Sequence, residues 1–150
     1  SNYEGKMFQL HSQLEADTVL VGRFPLSLLL LSKDANYPWC ILVPQREGME
    51  EIYQLDSADQ QQLLHESCLL AETLAALFAA DKINVATIGN MVPQLHMHHV
   101  ARFKSDAAWP QPIWGAVDAV AYPEDMLAHR VEGIAASLKP QGLVVSEPAR

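Results

Sequence analysis

Residues 26–31 read LSLLLL, and no other segment constrains the fold as strongly. The run is far short of the ~18 apolar residues that a membrane span needs. It also lacks the alternation of a strand with one wet face. Such a strand is expected to be covered on both faces, at the centre of a sheet with a helix packed on it. Residues 18–22 are short and apolar and are separated from this run by Arg23-Phe24-Pro25, which suits two antiparallel strands joined by a tight turn. SKDANYP at 32–38 carries turn chemistry, and residues 39–43 predict a third strand that Pro44 stops.

Ser57 with Gln60 three residues on is a capping-box signature, and Asp59 adds negative charge where the helix dipole favours it. From there Leu63/Leu64, Ser67/Cys68, Leu70/Ala71, Leu74/Ala75 and Leu77/Phe78 recur at helical spacing, which predicts one broad core stripe. Residues 83–88 predict a fourth strand, Gly89-Asn90-Met91 a turn and residues 94–103 a fifth strand, and a helix over 124–138, entered through Pro123, closes the domain. The expected fold is α+β: a mainly antiparallel sheet of about five strands, a long helix packed on it and a C-terminal helix. Residues 1–150 are expected to form a single domain, with a loose N-terminus at 1–7 and a loose tail at 142–150.

A net charge of -8 argues against binding to nucleic-acid polymers, which depends on clustered Lys and Arg. No apolar stretch is long enough for a membrane helix and no signal-peptide pattern is present, so a soluble cytoplasmic protein without a membrane partner is expected. Cys40 and Cys68 have apolar neighbours and no CxxC spacing, and read as buried, reduced thiols. Trp109-Pro-Gln-Pro-Ile-Trp114 cannot be a regular helix and reads as an arm over the core, a dimer surface or a base pocket.

The chemistry concentrates in QLHMHHVAR, residues 94–102. On a strand with period 2, Gln94, His96 and His98 share one face, about 6.6 Å apart, while His99 points the other way. A neutral imidazole can attack phosphorus and form a phosphoramidate that water later cleaves, provided that neighbouring donors stabilise the phosphoryl oxygens. His96, between Gln94 and His98, is the candidate nucleophile, and His98 the donor. Gly89-Asn90 could bring backbone N–H groups and an amide to the same anion. Arg102 shares the face but lies about 20 Å along the strand, and reads as a structural partner. His96 and His98 with a carboxylate such as Asp106 would make an alternative three-ligand zinc platform.

GNMVPQLHMHHVAR resembles the signature of the histidine triad (HIT) superfamily of nucleotide hydrolases and transferases, and the strand WCILVP, the helix from Ser57 and INVATIGN follow in that family's order over about residues 8–115. The resemblance implies a HIT-like fold, a nucleoside 5′-phosphoryl substrate (a phosphoramidate or a dinucleoside polyphosphate) and a covalent nucleotidyl-histidine on His96, with His98 contacting the phosphate. It implies no metal and no cofactor, and a homodimer paired through the long helix and the adjacent strand. Asn90 matches a phosphate-side Gln of the family and Asn84 an Asn of the preceding strand; Asp34 is the candidate for the ribose-binding acid. Gln94 stands where the family has its first histidine, and Met91 where many members have Ser or Thr. An amide donates and accepts hydrogen bonds but carries no proton, so a HIT-like dimer that binds nucleotides and turns them over slowly or not at all is the alternative reading.

Overall fold

A computed structural model describes residues 8–145. The expected loose N-terminus at 1–7 lies outside the described residues. Five strands, β1 (Thr18–Arg23), β2 (Ser27–Ser32), β3 (Trp39–Pro44), β4 (Lys82–Ala86) and β5 (Met97–Arg102), form one sheet in the order β1-β2-β3-β5-β4. Every neighbouring pair is antiparallel. Helices α2 (Ser57–Phe78) and α3 (Met126–Leu138) pack on the sheet, and a short α1 (Ser12–Asp17) precedes β1. The α+β architecture expected from the sequence is therefore present.

The apolar run at 26–31 does what its lack of alternation demands. All six residues of β2 are buried. Leu29 and Leu31 join Leu42, Leu63, Leu70 and Leu74 in the core beneath the helices, whereas Leu28 and Leu30 pack with Leu14, Ile41 and Val43 on the opposite face. That second face is covered by the N-terminal segment and α1 rather than by a long helix, and the central strand is β3.

Several local expectations need correction. The N-cap of α2 is Asp56, whose carboxylate accepts from the Asp59 N–H, so Ser57 is the first helical residue. Both residue types cap well, and the earlier one holds the extended backbone that capping needs. The stripe on α2 is narrower than expected: Leu63, Ser67, Leu70 and Leu74 are buried, but Leu64, Cys68 and Leu77 are exposed, so of the two thiols only Cys40 is inside. Helix α3 begins at Met126, two residues later than expected.

Residues 142–145 are not a loose tail. Arg23 and Val144 exchange backbone hydrogen bonds at 2.8 and 2.9 Å, and Leu143 is buried in the main core. Gly22 permits this approach, because a Cβ there would lie 2.7 Å from the Val144 carbonyl oxygen and 2.9 Å from Leu143 Cγ. Residues 146–150 of the expected tail lie outside the described residues. No helix among the described residues is long and apolar enough to cross a membrane.

Candidate active site

The face of the sheet away from α2 carries a cavity of about 360 Å³. His96 and His98 line it together with Gly89, Asn90, Trp39 and Trp114. β5 begins only at Met97, so His96 enters from an irregular segment, yet its ring centroid lies 5.0 Å from that of His98. The turn over Ile88–Val92 forms an adjacent wall of the cavity. Gly89 adopts φ +65 there, a conformation that a side chain would strain.

Hydrogen bonds fix the two imidazoles in complementary states. Nδ1 of His96 lies 2.6 Å from the Gln94 carbonyl oxygen, which can only accept, so Nδ1 carries the proton and Nε2 presents a lone pair. Nδ1 of His98 receives the indole N–H of Trp39 at 3.0 Å, so in the neutral ring the proton resides on Nε2. Burial, with the adjacent imidazoles of His96 and His99, pushes His98 down to about 3, which keeps it neutral near pH 7. In their neutral forms one ring presents an acceptor and its neighbour a donor.

His99 points the other way, as alternation predicts. Its Nδ1 donates to the Met97 carbonyl at 3.0 Å, and Nε2 accepts from the Ser67 hydroxyl of α2 at 2.7 Å. Burial lowers it to about 4, against the opposing pull of the Met97 carbonyl.

The remaining candidates divide. Gly89 and Asn90 line the cavity with the histidines. Gln94 does not: its side chain accepts from the His11 N–H at 2.8 Å and donates to the Gln9 carbonyl at 2.9 Å. It stands on their side of the sheet, as alternation predicts, with Leu95 and Met97 turned to the opposite core, but the N-terminal segment that covers that face takes up its amide. Asn84 does not line the cavity; its side-chain Oδ1 accepts from Arg102 at 2.7 Å. Asp34 lines an adjoining chamber of about 520 Å³, where its Oδ1 organises a turn by accepting from Asn36 and the Val120 N–H. Ser32 and Asp17 line both chambers.

Arg102 is the structural partner that the sequence suggests, buried and paired bidentately with Asp106 at 2.8 and 3.1 Å. Burial pushes the Asp106 carboxyl up, but the Arg102 guanidinium and the N–H groups of Phe103 and Ala108 outweigh it and hold the group at about 2. With its carboxylate so committed, Asp106 does not complete a three-ligand zinc set with His96 and His98. Among the described residues no group of three or more His, Cys, Asp or Glu is arranged to hold a metal ion.

Sequence reasoning missed Trp39, which reads as one more apolar strand residue. It also left the two indoles of the 109–114 arm together. Trp114 lies against His98, with ring centroids 5.1 Å apart, while Trp109 covers the Arg102 guanidinium at 5.7 Å.

Comparison with known proteins agrees with this geometry. The HIT domain family model matches residues 13–105. A histidine triad protein from Marinobacter aquaeolei VT8 is 47% identical with a TM-score of 0.80, over 89% of this chain and 95% of that one. A histidine triad protein from Bradyrhizobium japonicum is 42% identical with a TM-score of 0.82, over 89% and 97%. One from Sinorhizobium meliloti 1021 is 38% identical with a TM-score of 0.85, over 87% and 97%. No curated protein matches the chain. With the family model across its sheet and long helix, and similar folds at such identity, the chain belongs to the histidine triad (HIT) family.

Proposed function

We propose that the protein is a nucleotide hydrolase or nucleotidyl transferase acting on a nucleoside 5′-phosphoryl group linked to an amine or to a further phosphate. The observation that carries this reading is the complementary pair of tautomers: a free lone pair on Nε2 of His96 beside a proton on Nε2 of His98. Nε2 of His96 attacks the α-phosphorus and forms the P–N bond. The bond to the leaving group breaks with its electron pair, and the leaving group takes a proton from solvent. Water then attacks the phosphorus, the P–N bond returns its electrons to Nε2, and a proton leaves to solvent. His98 donates to a non-bridging oxygen throughout, with Gly89 and Asn90 supplying further polar groups at the same end of the cavity. The chemistry requires no cofactor.

Rapid quenching with radiolabelled substrate is expected to leave acid-labile label on His96. Turnover without any adduct would overturn the covalent mechanism. A second reading, a nucleotide-binding protein with slow or no turnover, is favoured by Gln94, which brings no proton carrier to the cavity. Equal rates for wild type and His96→Ala on adenosine phosphoramidates and dinucleoside polyphosphates, with nucleotide binding intact, would select it. We further propose a homodimer paired through α2 and β4, where Leu64 is 64% and Val85 49% exposed, in the reducing cytoplasm that suits the exposed thiol of Cys68.

A further inference from the structure

We propose that Gln94 is a positioning residue whose side-chain amide acts as a surrogate strand peptide, docking the N-terminal segment so that α1 becomes one wall of the nucleotide cavity. The proposal rests on the reading of that cavity as a nucleotide site.

The two hydrogen bonds define the arrangement. Gln94 Oε1 accepts from the N–H of His11, and Nε2 donates to the carbonyl of Gln9. These two groups flank Leu10, as the N–H and C=O met by a neighbouring strand's peptide flank a residue in a parallel ladder. The amide thus pairs with an extended segment more than 80 residues away in sequence, at separations of 83 and 85.

The docked segment starts α1. His11 is its N-cap, and its Nδ1 accepts from the Gln13 N–H at 3.0 Å. With six residues and Leu14 alone buried, α1 is too short to sustain itself, because helix nucleation is unfavourable. It depends on tertiary ties. Lys33, whose backbone N–H and Nζ donate to the carbonyls of Asp17 and Ala16, holds its C-terminal end, and Gln94 holds the other. Between these ties, Gln13, Leu14 and Asp17 face the cavity that His96 and His98 line.

Residue 94 therefore serves the site twice. Its carbonyl orients the imidazole of His96, and its side chain holds the wall made by α1. The second task explains the amide. A carboxylate has no donor for the Gln9 carbonyl, and the nitrogens of an imidazole diverge across the ring instead of presenting donor and acceptor side by side. Glutamine in place of the first motif histidine supplies a structural tie where a proton carrier would stand.

The test compares Gln94→Met, which keeps length without hydrogen bonds, and Gln94→Glu, which keeps the acceptor alone, with wild type. In Gln94→Met, amide exchange at residues 9–15 is expected to rise at least tenfold while α2 and β2 keep their protection. AMP is expected to bind roughly tenfold more weakly, as loss of about one net hydrogen bond's worth of order in the wall implies. Gln94→Glu falls between. In Gln94→Met the pH profile of His96 labelling keeps its wild-type shape, because no proton carrier has been removed or added. Wild-type exchange at residues 9–15 in both variants overturns the proposal. So does a changed pH profile in Gln94→Met with AMP affinity intact, which assigns residue 94 a role in proton transfer. If AMP fails to bind even the wild type, the nucleotide reading falls on its own, while the exchange measurement still decides whether Gln94 holds α1.

Discussion

Trp39 donates its indole N–H to Nδ1 of His98 at 3.0 Å, so a residue of β3 selects the tautomer of a residue on β5. Trp39→Phe keeps a ring against His98 and removes the proton that fixes it. Both neutral tautomers then become accessible, and the donor aimed at the phosphoryl group is present only part of the time. The expected loss is about tenfold or more in the transfer rate, below the full cost of deleting such a donor. Nitrogen-15 NMR of His98 checks the cause directly: wild type shows the proton on Nε2, the variant a mixture. A variant with the wild-type tautomer and a lowered rate would locate the effect elsewhere.

The contrast between Trp39 and LSLLLL marks how far the sequence could be read. The buried strand was legible because burial on both faces removes alternation, and a run of apolar residues reports that directly. His96 and His98 were legible because polar groups on an otherwise apolar strand stand out. Trp39 did not stand out, since an indole in a strand suits any core and only the pairing of β3 with β5 reveals its hydrogen bond. Gln94 was legible as a residue of that face, but its partners were not, because Gln9 and His11 lie more than 80 residues away in sequence. Asn84 was misread for a related reason: the sequence does not show that Arg102, 18 residues on, already claims its side chain.

Asp106→Ala is expected to destabilise the fold by about 3–5 kcal/mol, because it leaves the buried Arg102 guanidinium without its counter-charge. Three N–H groups, of Phe103, Ala108 and Trp109, also lose their acceptor. Urea melts measure the loss. Folded molecules at low temperature retain nucleotide affinity, since neither member of the pair lines the cavity with His96 and His98.

Leu64→Glu places a charge on the exposed apolar side of α2, and Val85→Glu does so on the edge strand β4. Each is expected to halve the sedimenting mass of a dimer while leaving the far-ultraviolet circular dichroism unchanged, because both positions are outside the core. A wild-type protein that sediments as a monomer at micromolar concentration would remove the proposed pairing altogether.

His98 and His99 are both held well below the ordinary value of 6.5, at about 3 and about 4. Each therefore binds a proton more readily in the unfolded chain than in the native one. The resulting stability is fully present above pH 6.5 and is lost as pH falls toward those lower values. Between about pH 6 and pH 5 each histidine contributes a slope approaching roughly 1.4 kcal/mol per pH unit, and together roughly 2.8. Asp106, held at about 2, adds its own loss only at more acidic pH, so the two histidines dominate this window. His99→Gln retains a donor for the Met97 carbonyl and an acceptor for Ser67 but cannot take up a proton. Urea midpoints across pH 7 to 4.5 are expected to fall about half as steeply in this variant as in wild type. Equal slopes in the two proteins would show that His99 titrates normally in the folded state.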